Sequence, residues 1–385
     1  TIVEVPFYGQ QVPVMTNSAV DPSKGSGAVM CCTFGDQADV SWWLTYNLPF
    51  IQAIDQDGRM TPACGDLQGL TTIEARKAIK EKLKDKKLIL VRQPASQSIR
   101  VHERCDTPVE TIITMQWFIR ALDFREQLIE AGERIAWHPE SMRARYRSWV
   151  ENLSWDWCIS RQRFYGVSFP VWYCDTCGEV MLADIDQLPV DPIVVTPPRT
   201  CTCGSDRFIP ETDVMDTWAT SSLTPQIITR WLADDSFFQR YFPMTVRPQA
   251  HEIIRTWAFY TILKSMHHFD KLPWSDILIS GWGIAGEGMG KISKSRGSGG
   301  PMPPLEMIQR YSADAVRYWA ASTSAGKDSI ISEEKIQSGS RLVTKLWNVA
   351  RFAQPFIHTD LRSEAYNSLK LTPADQWIIA RTRRV

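Results

Sequence analysis

Between Met244 and Leu305 the chain alternates two hydrophobic rhythms, and this alternation limits its possible folds more than any other feature. Met244-Thr-Val-Arg247 and Asp276-Ile-Leu-Ile-Ser280 read as short apolar strands, whereas His251 to His268 and the stretch from Leu305 onward carry helical spacing. Parallel neighbours need a crossover long enough to hold a helix, while antiparallel neighbours need only a tight turn. Strand, helix, strand, helix therefore predicts an α/β fold on a parallel sheet. With 385 residues the chain exceeds one ordinary domain, so further modules should surround that sheet.

The flanking segments differ in character. From Thr1 to about Pro49, apolar and polar residues alternate around Gly and Pro and then turn helical at Asp36-Gln-Ala-Asp-Val-Ser-Trp-Trp-Leu. Thr71-Thr-Ile-Glu74 has the form of a capping box, after which Ala75, Ala78, Ile79 and Leu83 keep one apolar stripe. The lysines of its other face, Lys82, Lys84, Lys86 and Lys87, fit a solvated surface or a nucleic-acid contact. A Pro- and Gly-rich insert runs from Pro170 to about Pro210, and the last fifty residues read as helices. Lysines and arginines total 43 and match 43 acidic residues, so the whole-chain charge says nothing about partners; Arg341 to Val385 nevertheless holds eight basic and three acidic residues. No apolar run approaches the roughly eighteen residues of a membrane helix. The first residues resemble neither a signal nor a transit peptide, so a cytoplasmic protein is expected.

Two local patterns carry chemistry. Gly290-Lys-Ile-Ser-Lys-Ser-Arg-Gly297 follows the second strand, and its two lysines, two hydroxyls and flanking glycines suit a mobile cationic clamp for a polyphosphate. Cys174-Asp-Thr-Cys177-Gly178 and Cys201-Thr-Cys203-Gly204 place four thiols on two tight turns inside the insert. Such a set suits a tetrahedral structural zinc, although the second pair is one residue shorter than the usual spacing; a reduced, metal-free insert is the alternative. The odd total of nine cysteines argues against a secreted disulfide framework.

The Lys291 to Ser295 segment resembles the Lys-Met-Ser-Lys-Ser signature of class I aminoacyl-tRNA synthetases, with Ile292 in place of Met. Trp157-Cys-Ile-Ser-Arg-Gln162 with Gly166, Asp216-Thr-Trp218, Ala313-Asp-Ala-Val-Arg317 with Ala321-Ser-Thr323, and Lys345-Leu-Trp-Asn348 resemble the valyl, isoleucyl and leucyl subgroup. The resemblance implies the second half of a Rossmann-like catalytic domain, part of a β-rich editing domain, a zinc-ribbon-like insert and the start of an all-α anticodon-binding domain. The corresponding boundaries are residues 1–93 for editing, 94–169 for the return into the catalytic domain, 170–211 for the insert, 212–323 for the catalytic domain with its lysine loop, and 324–385 for the helices.

The same resemblance assigns roles. Lys291, Ser293, Lys294 and Ser295 would be catalytic, stabilising pyrophosphate as it leaves ATP. His251, Glu252, Gly281, Gly283, Ile292 and Lys294 would bind ATP and the adenylate. Trp218, Ile253 and Trp257 would wall the amino-acid slot; on a regular helix Ile253 and Trp257 share a face, and they also fit a plain core. His251-Glu-Ile-Ile-Arg-Thr-Trp257 follows the valine-type pattern more closely than the isoleucine type, with Glu252 where Asp is commoner and Ala250 where Gly is commoner. Asp39, with Asp36, would serve editing, Asp39 gripping the α-ammonium of a misattached amino acid; both also fit a helix start. Apolar pockets discriminate poorly against an added hydroxyl, valine enzymes facing threonine being the standard worked example of that limit. Implied cofactors and partners are ATP with Mg2+, zinc, valine and tRNA(Val), with no membrane. None of the six histidines forms His-x-Gly-His, and the chain stops at Arg383-Arg-Val385 within an apparent helix. A fragment is therefore expected, one that needs the N-terminal half of the same catalytic domain for activity. The rival readings are an isoleucyl-type enzyme, a zinc-stabilised RNA-binding paralogue without catalysis, and a stand-alone editing hydrolase.

Overall fold

The computed structural model describes all residues except 24, 33, 35–36, 93, 95–97, 103–104, 285–302, 358–369 and 385. The chain divides into two compact units, Thr1–Met115 and Gln116–Val385. In the first, β1 (Ile2–Glu4) and β2 (Gln11–Pro13) pair antiparallel, and α1 (Gln37–Tyr46) follows. The capping box starts α2 (Thr72–Asp85): the Glu74 amide donates to the Thr71 hydroxyl at 3.3 Å, and the Thr71 amide donates to the Glu74 carboxylate at 2.9 Å. Two amides that a helix start would leave unpaired are thereby satisfied. Ala75 is buried, and Ala78 and Ile79 pack with it on Cys64 and Leu67, as the apolar stripe predicts.

The second unit holds the sheet. α3 (Arg125–Arg134) leads into β3 (Ala136–His138), and α4 (Arg143–Glu151) returns against α3. The two helices approach closely because Gly132 has no side chain; a Cβ there would lie 2.4 Å from the Tyr146 ring. The insert forms an antiparallel sheet of β4 (Val171–Cys174), β5 (Val180–Leu182) and β6 (Phe208–Pro210), with β4 central and Trp172 opposite both Met181 and Pro210. At its base the Trp117 indole and the Tyr173 hydroxyl donate to one Glu211 carboxylate oxygen at 2.8 and 2.6 Å.

The short helix α5 (Thr217–Ser221) precedes β7 (Met244–Ala250), α6 (Phe259–Phe269) and β8 (Trp274–Ser280). The strands lie in the order β7, β8, β3, all parallel, with Ala250 opposite Ser280 and Leu278 opposite His138. This is the sheet that the alternating rhythm predicts. One element differs from expectation: the chain does not run as a regular helix from His251. A tight turn covers His251–Ile253, one wide turn with i→i+5 bonding covers Ile254–Ala258, and only then does α6 begin. Trp137, Trp257, Trp274, Phe259, Ile262 and Ile277 fill one core between the sheet and these helices. Several of the tryptophans are thus core bulk.

Beyond β8 come β9 (Gly283–Ile284), α7 (Pro304–Tyr311), α8 (Ala313–Ala321), β10 (Ser329–Ile330), α9 (Glu333–Ala353) and α10 (Pro373–Thr382). β10 pairs parallel with β9, and Met307, Ala315 and Ile336 knit α7, α8 and α9 together. Among the described residues no helix is long and apolar enough to cross a membrane.

Candidate active site and metal centre

Ligands of open parallel sheets sit beyond the carboxyl ends of the strands, where loops and helix starts converge. Here that end is occupied by His251, directly after β7, and by Gly281 and Trp282 after β8. His251 Nδ1 lies 3.0 Å from an Arg145 guanidinium nitrogen on α4, and its Nε2 lies 3.6 Å from Asp328 Oδ1. A guanidinium only donates, so Nδ1 accepts and the ring proton sits on Nε2, facing Asp328. The imidazole also lies against the Trp282 ring, with centroids 4.7 Å apart. Glu252 accepts the Trp282 indole N–H at 3.1 Å, and the Trp282 amide donates to Asp328 at 2.8 Å. His251 and Glu252, two of the six residues expected to bind the nucleotide, therefore belong to one interlocked polar group.

Gly281 and Gly283 serve close backbone approach. A Cβ on Gly281 would lie 2.2 Å from the Lys327 carbonyl carbon and oxygen, and one on Gly283 would lie 3.2 Å from the Ile331 side chain. Without a side chain at 281, the return segment can lie on the strand end, where the Gly326 amide donates to the Ile279 carbonyl at 2.7 Å and the Ser329 amide to the Trp282 carbonyl at 2.8 Å. That contact is what brings Asp328 to His251.

The residues expected to wall the amino-acid slot also come together. Ile253 and Trp218 are half-buried and pack on the core that contains Trp257. Trp257 itself is 5% exposed; its ring stacks on Trp274 at 5.4 Å between centroids, and the Arg247 guanidinium lies 3.7 Å over it. The wide turn places Trp257 in the core while its indole N–H donates to the Ser221 carbonyl at 3.1 Å. Single wide turns of this kind are frequent at functional sites.

Trp218 rides on α5, which is gripped at several points. Asp216 is buried; one carboxylate oxygen accepts the Trp218 amide at 3.1 Å, and the other pairs with Arg161 at 2.9 Å. Lys264 of α6 donates to the Ala219 carbonyl at 2.7 Å, and burial pulls its pKa down to about 8.

In the insert the four cysteine sulfurs converge, all within 4.8 Å of one another. Cys174 and Cys203 are 3.6 Å apart, and Cys177 and Cys201 are 3.5 Å apart. A zinc–sulfur distance of about 2.3 Å gives a tetrahedron with edges of about 3.8 Å, so the set fits the ion despite the short second spacing. The knuckles are closed by amides of Gly178 and Gly204, which bond the Cys174 and Cys201 carbonyls at 2.8 Å; both glycines have φ values, 74° and 85°, that other residues avoid. Burial opposes ionisation of Cys174, but amides of Cys177 and Thr176 and neighbouring thiols bring it down to about 6. Cys201, despite help from the Cys203 amide, is pushed up to about 12 by the Glu179 carboxylate, by burial and by the other sulfurs. Cys174 thus gives up its proton readily, whereas Cys201 holds its own.

Asp39 is buried in the first turn of α1, and its charge, after burial, helps to raise the Cys32 thiol. Asp36 and the lysine-loop residues Lys291, Ile292, Ser293, Lys294 and Ser295 lie outside the described residues. Arg145, Trp282, Asp328 and Lys264 are not among the residues expected from sequence. None sits in a motif, and Arg145 meets His251 across 106 positions of chain.

Comparison with known proteins adds the following. The family profile of tRNA synthetases class I (I, L, M and V) matches residues 68–332. A valine--tRNA ligase of Thermoplasma acidophilum is 44% identical over 384 residues, covering 99% of this chain and 47% of that protein. One from Rickettsia typhi is 42% identical, covering 97% of this chain and 47% of its own length. The chain spans about half the length of these relatives. Among solved structures, Mycobacterium tuberculosis methionyl-tRNA synthetase in complex with methionyl-adenylate aligns over 73% of this chain and 48% of its own, with 21% identity and a TM-score of 0.49.

Proposed function

Because this chain belongs to the class I tRNA synthetases, we propose that its full-length protein activates valine with ATP and transfers it to tRNA(Val). The observation that carries this reading is the convergence of His251, Glu252 and Trp282 at the carboxyl end of the parallel sheet, beside the core that holds Ile253, Trp257 and Trp218. The valine carboxylate would attack the α-phosphate of Mg-ATP in line, a step that depends on positioning and charge stabilisation more than on a protein base. His251, its proton held on Nε2, and Glu252 would orient the adenylate. Lys291 and Lys294 would stabilise the departing pyrophosphate, with Ser293 and Ser295 adding hydrogen bonds and Ile292 and the nearby glycines shaping the approach. The tRNA's terminal ribose hydroxyl would then attack the adenylate's carbonyl carbon, forming the ester and breaking the acyl–phosphate bond so that AMP leaves. Asp39, with Asp36, would grip the ammonium of a misattached threonine during its hydrolysis, in the cytoplasm where the reaction runs.

Cys174, Cys177, Cys201 and Cys203 would hold zinc, which when bound supplies a structural cross-link and no chemistry on valine. The test is amino-acid-dependent ATP–pyrophosphate exchange by the full-length protein, comparing valine, isoleucine and threonine. Valine should dominate, and Lys294→Ala should cut the rate at least a hundredfold, roughly the scale of losing one transition-state charge contact, with little change in valine binding. Equal exchange with isoleucine would refute the specificity, and an unchanged rate of adenylate formation in Lys294→Ala would refute that lysine's role.

A further inference from the structure

Lys264 sits half-buried on α6, and its amine reaches a backbone carbonyl of α5. Its helix neighbours Ile262, Leu263 and Ser265 are fully buried, and its Nζ ends 2.7 Å from the Ala219 carbonyl of α5. That carbonyl does not depend on the lysine, because the Ser222 hydroxyl donates to the same oxygen at 3.0 Å. Removing an ammonium from water is costly, and burial has drawn its pKa down to about 8. Stability alone therefore does not account for the residue.

What the amine reaches is the helix that bears Trp218. α5 is only five residues long, far below the length at which a helix holds itself in place, so its position follows from what grips it. Arg161 holds its first turn through Asp216, the Trp257 indole holds its last carbonyl at Ser221, and Lys264 holds the carbonyl between them. Two of these grips come from the same α6 region, Trp257 from the wide turn and Lys264 from the helix that follows. Together with Arg161 they fix the helix that carries Trp218.

We propose that Lys264 is a positioning residue for amino-acid recognition, fixing α5 so that Trp218 stands at the correct distance from Ile253 and Trp257. The inference rests on the reading of those three residues as the slot. A positioning role and a structural role predict opposite changes in stability. If Lys264 positions, Lys264→Met removes a buried amine and leaves a well-packed chain; if it is structural, the same change loosens the fold.

The experiment measures exchange kinetics and thermal unfolding of the full-length protein with Lys264→Met and with Lys264→Gln, whose side chain is shorter and carries no charge. In both variants the KM for the amino acid should rise about tenfold, the scale of one charge-assisted hydrogen bond, with kcat within about twofold. The Lys264→Met Tm at pH 7 should be unchanged or higher. An unchanged KM overturns the proposal, as does a parallel fall in kcat and Tm. If Lys264→Met does not fold, the KM of Lys264→Gln decides. The unmodified protein separates the two levels of inference: preference for an amino acid other than valine refutes the valine reading, and the Lys264 comparison is then made with the preferred one. Absence of exchange with every amino acid removes both.

Discussion

Asp216 offers the sharpest test of how α5 is held. Its carboxylate caps α5 through the Trp218 amide and pairs with Arg161 at 2.9 Å while being 6% exposed. Asp216→Ala deletes both functions. Loss of an N-cap costs about 1 kcal/mol. Breaking a buried ion pair costs about 3–5 kcal/mol, but that figure applies to fully enclosed partners. The Arg161 side chain is 34% exposed and keeps a bond to the Cys158 carbonyl at 3.1 Å, so about 2 kcal/mol is the appropriate share. The total is about 3 kcal/mol. Asp216→Asn keeps a capping oxygen and the volume but loses the charge, so it should cost about 1–2 kcal/mol. Urea unfolding of the full chain, read as a shift in midpoint at constant slope, measures both. A cost below about 1 kcal/mol for Ala, or equal costs for Ala and Asn, would refute the division into cap and charge.

Three further outcomes are expected. Purified protein should carry one zinc per chain, Cys203→Ser should lose it, and chelation should lower the Tm of the parent but not of the variant; full retention by the variant would show that Cys203 is no ligand. Gly281→Ala should cost about 2 kcal/mol or more in thermal unfolding, because the backbone atoms 2.2 Å from its Cβ have no room to yield; a neutral result would mean that the return segment can withdraw from the strand. Hydrogen bonds from His138 and then Ser275 hold the Asp276 carboxyl below its ordinary value. Its contribution is therefore present above about pH 4 and is lost as pH falls through the lower folded value, so Asp276→Asn should make acid unfolding less steep there. An identical acid transition would remove that pair from the account.

Features encoded by residues close together in the chain are legible in the sequence. The parallel sheet follows from the strand and helix rhythm, α2 from Thr71 and Glu74, and the cysteine cluster from two short spacings, one of them irregular yet still convergent. Features created by distant residues are not. The proton position on His251 depends on Arg145, its orientation depends on Asp328, and the approach of Asp328 depends on the missing side chain of Gly281. The wide turn at Ile254–Ala258 is hidden too, because an apolar stripe reads the same whether one turn closes over four residues or five. Nothing in the sequence singles out Lys264; only packing shows that its amine meets the Ala219 carbonyl.

The cysteine-bearing sheet has a consequence for how such a chain tolerates change. β4 and β6 are antiparallel neighbours with Trp172 facing Pro210, so the polypeptide leaves the body and re-enters it at a single point. Seen from the parallel sheet, everything between is an ornament on a hairpin. Changes of length between β4 and β6 therefore fall outside the pairing of β7, β8 and β3. Glu211, bonded to Trp117 and Tyr173, marks where that freedom stops.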